Sequence, residues 1–101
     1  MNGPVDGLKI THADHGHHGE YRAQPAGSDH IGRLTWKEAG KGVRVADHTL
    51  VPPAIGGRGI AAELVKALVA DAREQGFRII PQCSYVAVMF DGHPEWAPLR
   101  A

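Results

Sequence analysis

The run Gly56-Gly57-Arg58-Gly59, set between a proline pair and a long amphipathic stretch, constrains the fold more than any other feature of the sequence. Three glycines in four positions allow backbone conformations closed to other residues and let a ligand approach the main chain closely. Behind them, Ile60, Leu64, Val65, Leu68, Val69 and Ala72 recur at helical spacing, and Gly76 stands where a helix C-terminus is expected, so the pattern predicts a helix over Ile60 to Gln75. Ahead of them, Val43 to Val51 reads as a strand that Pro52-Pro53 ends, because proline cannot donate to a ladder. Phe77 to Pro81 reads as a short central strand. Strand, loop, helix, strand in this order allows the two strands to lie side by side and parallel, with a crevice at their C-terminal ends. The first turn of the helix carries unpaired amides and a partial positive charge, which suit a phosphate or diphosphate. Arg58 adds a cation. The run is not a P-loop, lacking Gly-Lys-Ser or Gly-Lys-Thr, and it is not a dinucleotide fingerprint, because Ala62 replaces the last glycine.

The rest of the chain reads as strands and turns around that unit. Gly19 to Gln24 is a short strand ended by Pro25-Ala26-Gly27-Ser28, and Ile31 to Lys37 is another, with Leu34 and Trp36 on one face. Ala39 to Gly42 forms a turn that makes a hairpin with the Val43 strand, whose alternation places Val43, Val45, Asp47, Thr49 and Val51 together. Ser84 is positioned to cap a second helix through Val86, Val88, Met89 and Phe90, stopped by Gly92-His93-Pro94. Residues 11–18 are polar and rich in histidine and read as a solvated loop, making residues 1–18 a loose N-terminal segment. The expected class is α/β (α+β): one domain over 1–101, a mostly antiparallel sheet with one splayed parallel pair, and two to three helices. With 11 basic and 11 acidic residues the chain has no net charge, which argues against nucleic-acid or membrane partners. A single cysteine excludes an internal disulfide and suits a reducing, cytoplasmic setting. Met1 to Leu8 shows no signal-peptide pattern.

Four segments in order resemble a compact group within the GNAT superfamily of N-acetyltransferases: His48-Thr49-Leu50-Val51-Pro52, Gly57-Arg58-Gly59-Ile60-Ala61, Ile80-Pro81-Gln82-Cys83-Ser84-Tyr85-Val86 and His93-Pro94-Glu95-Trp96. The likeness spans about residues 19 to 100. The chain departs from the superfamily's coenzyme A motif at its opening position, where Gly56 replaces an arginine or glutamine. The resemblance implies acetyl-coenzyme A as co-substrate. Its binding residues would be Gly56, Gly57, Arg58, Gly59, Ile60 and Ala61, with the diphosphate on the amides of Gly57 to Ala61, and its pantetheine arm would lie against Thr49, Leu50 and Val51, with Tyr85 beside it. The fold implied is a minimal GNAT-like domain, and the reaction is acetyl transfer to a primary amine.

Two residues are the catalytic candidates. Cys83 lies between a predicted strand and a predicted helix, where a helix N-terminus favours a thiolate, and the resemblance puts it at the acetyl site as an acyl-enzyme nucleophile. The competing reading is a small buried hydrophobe. His48 is an acid–base candidate near the strand end, although alternation places it on the face opposite Thr49. His93 is a weaker third candidate that helix termination explains equally well. Two other functions stay open: a non-catalytic acyl-coenzyme A sensor, and a metal-binding protein using His12, Asp14, His15, His17 and His18. The acceptor is left as a protein lysine, a polyamine or a small amine.

Overall fold

The computed structural model describes residues 7–101, so most of the Met1–Leu8 segment lies outside the described residues. Five strands form one sheet in sequence order: β1 Lys9–Asp14, β2 His18–Gln24, β3 Gly32–Glu38, β4 Val43–Leu50 and β5 Arg78–Pro81. All neighbours are antiparallel except β4 and β5, which are parallel. Helix α1, Ile60–Gln75, makes the crossover between them, and α2, Ser84–Asp91, follows β5. Among the described residues no helix is long and apolar enough to cross a membrane.

Helix α1 keeps the predicted boundaries and buries the whole predicted stripe, Ile60, Leu64, Val65, Leu68, Val69 and Ala72. The stripe lies across β2 and β3, where alternation turns Tyr21, Ala23, Leu34 and Trp36 inward. Each large apolar side chain removed from water in this layer contributes roughly 1.5–3 kcal/mol. The inner face of β2 must pass close beneath Trp36, and Gly19 makes room: a Cβ there would stand 2.5 Å from the Ala13 carbonyl oxygen and 2.7 Å from the Trp36 ring.

Residues 11–14 and His18 belong to strands and not to a solvated loop; only His15 to His17 form an exposed turn. Lys9–Asp14 is a full edge strand paired with β2, in the register His12 opposite Tyr21. No buried apolar residue announces it, because Ile10 is exposed and a histidine takes the inward place. The His12 ring stacks on Tyr21 at 4.1 Å, and its Nε2 accepts a hydrogen bond from Trp36 Nε1–H at 2.9 Å. Tyr21 O–H donates to Asp71 on α1 at 2.6 Å, and the same carboxylate lies 3.6 Å from His12 Nδ1. The remaining side of the cluster is Arg44, stacked between Trp36 and Phe77 and 3.5 Å from Asp14.

This arrangement makes stability depend on pH in a definite direction. Burial pushes the His12 pKa below its usual 6.5, and Arg44 acts the same way, against the opposing pull of Asp71 and Asp14. The folded state therefore holds its proton less tightly than the unfolded chain. The contribution of neutral His12 is complete above the unfolded pKa and is lost as pH falls below about 6.5. Urea midpoints measured from about pH 8 down to about pH 5 should fall at the acid end, and less steeply in His12→Phe. An unchanged slope in that variant would remove His12 as the titrating group.

The hairpin of β3 and β4 contains a bulge that alternation does not foresee. Trp36 faces Ala46 and Thr35 faces His48, so Asp47 is an extra residue in β4. The expected common face of Val43, Val45, Asp47, Thr49 and Val51 is thereby broken. Thr49 sits opposite the buried Leu34 on the inner face, whereas Asp47 and His48 lie on the outer one. Pairing of β4 with β5 stops at Ala46 opposite Pro81, just before the bulge. Beyond that point the parallel strands part.

Helix α2 begins one position away from the expected cap. Cys83, in extended conformation, is the N-cap residue, Ser84 is the first helical residue, and no side chain caps the end. Two short 3₁₀ segments, Pro53–Ile55 and Pro94–Leu99, are not foreseen by the periodicity. The second leads Arg100 and Ala101 to the open edge of β5, where the Ala101 amide donates to the Ile79 carbonyl at 2.8 Å.

Candidate functional site

The point where β4 and β5 separate is closed on one side by the chain entering α2. The Cys83 amide donates to the Ala46 carbonyl at 2.9 Å, which ties the cysteine to the last paired residue of β4. Its Sγ lies 3.5 Å from Thr49 Oγ1. The thiol is half-buried, and burial alone raises its pKa. The Thr49 hydroxyl outweighs that, together with amides of Val86, Tyr85 and Thr49, and the net effect holds Cys83 below its usual 9.0. The cause is geometric: an N-cap position aims a side chain at the free amides of the first helical turn. The expected helix-terminus setting for Cys83 is therefore present, with Cys83 itself in the capping place.

The second part of the site is the turn before α1. Gly57 has φ of 73° and Gly59 has φ of 77°, both left-handed. Gly59 is the N-cap, without a side-chain cap bond. The first helical hydrogen bond runs from the Glu63 amide to the Gly59 carbonyl at 3.2 Å. The amides of Gly57 to Ala62 have no main-chain partner among the described residues. Gly57, Arg58 and Gly59 are exposed, so several donors and one guanidinium face solvent together. That donor set fits a diphosphate. Ile60 is buried at 2% exposure and offers only its amide.

Gly59→Ala tests the backbone directly. Nothing lies within 4 Å of the position a new Cβ would take, so the change acts through conformation alone. An L-residue held left-handed costs about 1–2 kcal/mol. The thermal midpoint should drop by several degrees and binding of a diphosphate ligand should weaken; a variant equal to the parent in both would show that the left-handed turn is not required.

The other sequence candidates separate. Leu50 is exposed on the outer face at the end of β4, and Tyr85 is partly exposed on the first turn of α2, so both border the opening. Val51 is half-buried against the core. His48 is exposed on the outer face, across β4 from Thr49, and makes no side-chain hydrogen bond among the described residues. The contacts of His93 are structural, since its Nδ1 lies 2.7 Å from the Met89 carbonyl oxygen and its ring stacks on Trp96 at 3.9 Å. The N-terminal histidines do not converge. His12 turns inward, His17 pairs with Glu38 at 2.7 Å, and His15 packs beside His18. Among the described residues no group of three or more metal-ligating side chains comes together.

Sequence reasoning missed two features of the site. The Thr49 side chain, and not only its backbone, addresses Cys83. Asp47 projects at the bulge with its Oδ1 accepting from Thr35 Oγ1–H at 2.6 Å. An aspartate inside a strand is the one available signal, since strands are depleted of it.

A parted parallel strand pair, a glycine turn with free amides and a thiol at the vertex are thus assembled in one small domain. The chain is similar in fold to a GCN5-like putative N-acetyltransferase of Staphylococcus aureus solved by NMR. The likeness has a TM-score of 0.72 over 96% of this chain and 91% of that one, at 23% identity. Residues 20–99 match the family model described as GCN5-related N-acetyl-transferase. That match takes in most of β2, all of β3 to β5, the glycine turn and Cys83, and on it the chain belongs to the GCN5-related N-acetyltransferase family.

Proposed function

We propose that this protein transfers the acetyl group of acetyl-coenzyme A to a primary amine through an acetyl-cysteine at Cys83. Acetyl transfer from acetyl-coenzyme A is the general reaction of the family. The route through Cys83 rests on one observation above all: a half-buried thiol with a lowered pKa, 3.5 Å from Thr49 Oγ1, where β4 and β5 part.

In this reading the amides of Gly57 to Ala61 and the Arg58 guanidinium hold the diphosphate. Main-chain groups of Thr49 to Val51 pair with the pantetheine amides as an added strand would, and Tyr85 flanks the arm. The Cys83 thiolate attacks the acetyl carbonyl carbon. A new carbon–sulfur bond to Cys83 forms, the bond to the coenzyme A sulfur breaks, and coenzyme A leaves as a thiol after taking up a proton. Amides at the first turn of α2 stabilise the charge that develops on the carbonyl oxygen. A neutral amine then attacks the acetyl-cysteine. The nitrogen–carbon bond forms, the bond to Sγ breaks, and the amine's proton passes to the departing sulfur or to solvent. In this route His48, exposed on the outer face, takes a proton from an amine arriving from that side.

Intact mass spectrometry after incubation with acetyl-coenzyme A checks this. One acetyl group should appear on the protein, map to Cys83, and disappear on addition of an accepting amine. Binding without any label, with amine-dependent thiol release intact, would leave direct transfer as the mechanism. Binding with neither label nor release would make the protein a sensor.

A further inference from the structure

The outer face of the sheet carries no helix among the described residues. Helices α1 and α2 both pack on the inner layer that holds Tyr21, Leu34, Trp36, Ile79, Val86 and Phe90. On the open side lies a groove of about 440 Å³ lined by residues of β2, β3 and β4, among them His18, Glu20, Arg22, Thr35, Lys37 and Asp47.

The register orders these side chains into rows. His18 stands opposite Lys37, Glu20 opposite Thr35, and Arg22 opposite Arg33. The bulge adds Asp47 to the middle row, where Thr35 O–H fixes its Oδ1 at 2.6 Å. A row of Glu20, Thr35, Asp47 and His48 therefore runs between two that are basic on β2 and β3. Its second carboxylate, Glu20, is already paired with Arg22, whereas Asp47 has one oxygen held and the other without a hydrogen-bond or ion-pair partner among the described residues. Asp47 also immediately follows Ala46, whose carbonyl anchors Cys83. Asp47, the groove's one lining residue on β4, thus adjoins the last paired residue before the strand gap.

We infer that this groove is the acceptor subsite and that it selects a small amine carrying its own anionic group. Asp47 takes the ammonium, and Lys37 and His18 take the anion. The inference rests on the acetyl-transfer reading above and adds the substrate class. A polycation is disfavoured because His18, Lys37, Arg22 and Arg33 flank the middle row on β2 and β3. Asp47 acts as a binding and orienting group. The bound amine must still lose a proton, to His48 or to water, before it attacks.

Phosphoethanolamine and ethanolamine are matched probes, with spermidine as the polycation. The parent should use phosphoethanolamine with kcat/KM at least tenfold above ethanolamine and above spermidine. Lys37→Gln should abolish that preference, bringing kcat/KM for phosphoethanolamine down to the level of ethanolamine. Asp47→Asn should raise KM for both amines tenfold or more without changing labelling of Cys83 by acetyl-coenzyme A. Preference for spermidine, or an unchanged KM in Asp47→Asn with Cys83 labelled normally, overturns the groove assignment and leaves acetyl transfer standing. Absence of acetyl-coenzyme A binding overturns both. Titration of phosphoethanolamine alone, followed by amide NMR shifts at Glu20, Thr35, Lys37 and Asp47, reads the groove independently of turnover, and shifts confined to other residues contradict it.

Discussion

Replacing Cys83 by alanine should eliminate acetyl labelling of the protein and slow amine acetylation at least ~100-fold, which corresponds to about 2.7 kcal/mol of transition-state stabilisation. The size of the loss follows from what the side chain does in the proposed route: it is the attacking atom, and nothing else at the vertex of β4 and β5 can replace it. Cys83→Ser keeps the shape and the contact with Thr49 but has a far weaker nucleophile, so it should behave like alanine. Thr49→Val separates activation from attack. Removing the hydroxyl removes the first of the interactions that lower the Cys83 pKa, leaving burial less opposed. The rate of labelling rises with the thiolate fraction, so its limb should move to higher pH in Thr49→Val while the plateau stays near that of the parent. Alanine at position 83 that transfers acetyl at the parental rate would remove the acyl-enzyme, and an unmoved pH limb would remove Thr49 from its activation. Binding of coenzyme A should survive all three substitutions, since the proposed route holds the diphosphate at the glycine turn and not at Cys83.

Trp36→Ala should cost about 3–5 kcal/mol of folding stability, the range for truncating a buried tryptophan. A chain of 101 residues has roughly 5–15 kcal/mol in total, at about 0.05–0.15 kcal/mol per residue, so the variant should be marginal at room temperature. Trp36 is 1% exposed, and three separate neighbours depend on it. Its Nε1–H satisfies His12, its ring face supports the Arg44 guanidinium at 3.8 Å, and its edge fills the space that Gly19 leaves. Arg44 already has one buried nitrogen without a partner, so loss of the ring leaves a cation with less compensation. Trp36→Phe keeps most of the ring and loses only the donor, and should fall between the parent and the alanine variant. Urea unfolding followed by circular dichroism measures all three; a loss under about 1 kcal/mol in Trp36→Ala would mean that the β1–β3 cluster contributes little.

The parts of this structure that the sequence announces are those in which hydrophobic period and secondary structure coincide. Helix α1 is legible to the residue because its apolar stripe is complete and glycines close both ends. Strands β2 to β5 are legible because alternation and proline punctuate them. Strand β1 is hidden, since its inward residue is His12, whose place in the core depends on a Trp36 donor two strands away. The bulge at Asp47 is hidden for a related reason: one extra residue reverses the facing of everything after it, and nothing local in the sequence marks the shift. The site is partly legible on the same terms. The glycine turn and the placing of Cys83 before a helix are local features. The pairing of Cys83 with Thr49 is a product of the bulge and the strand gap, which only the assembled sheet defines, whereas the facing of His48 away from Thr49 follows from alternation.

In the proposed reaction, free main-chain donors at the start of α1 hold a diphosphate and so direct a thioester toward Cys83, and every other step depends on that anchoring. Titration of the isotope-labelled protein with coenzyme A, read residue by residue from amide NMR shifts, tests it most directly. The largest shifts should fall on Gly57, Gly59, Ile60 and Ala61, with a second set at Thr49, Val51 and Cys83. Saturable shifts that leave both sets unmoved, or no binding at millimolar coenzyme A, would contradict it.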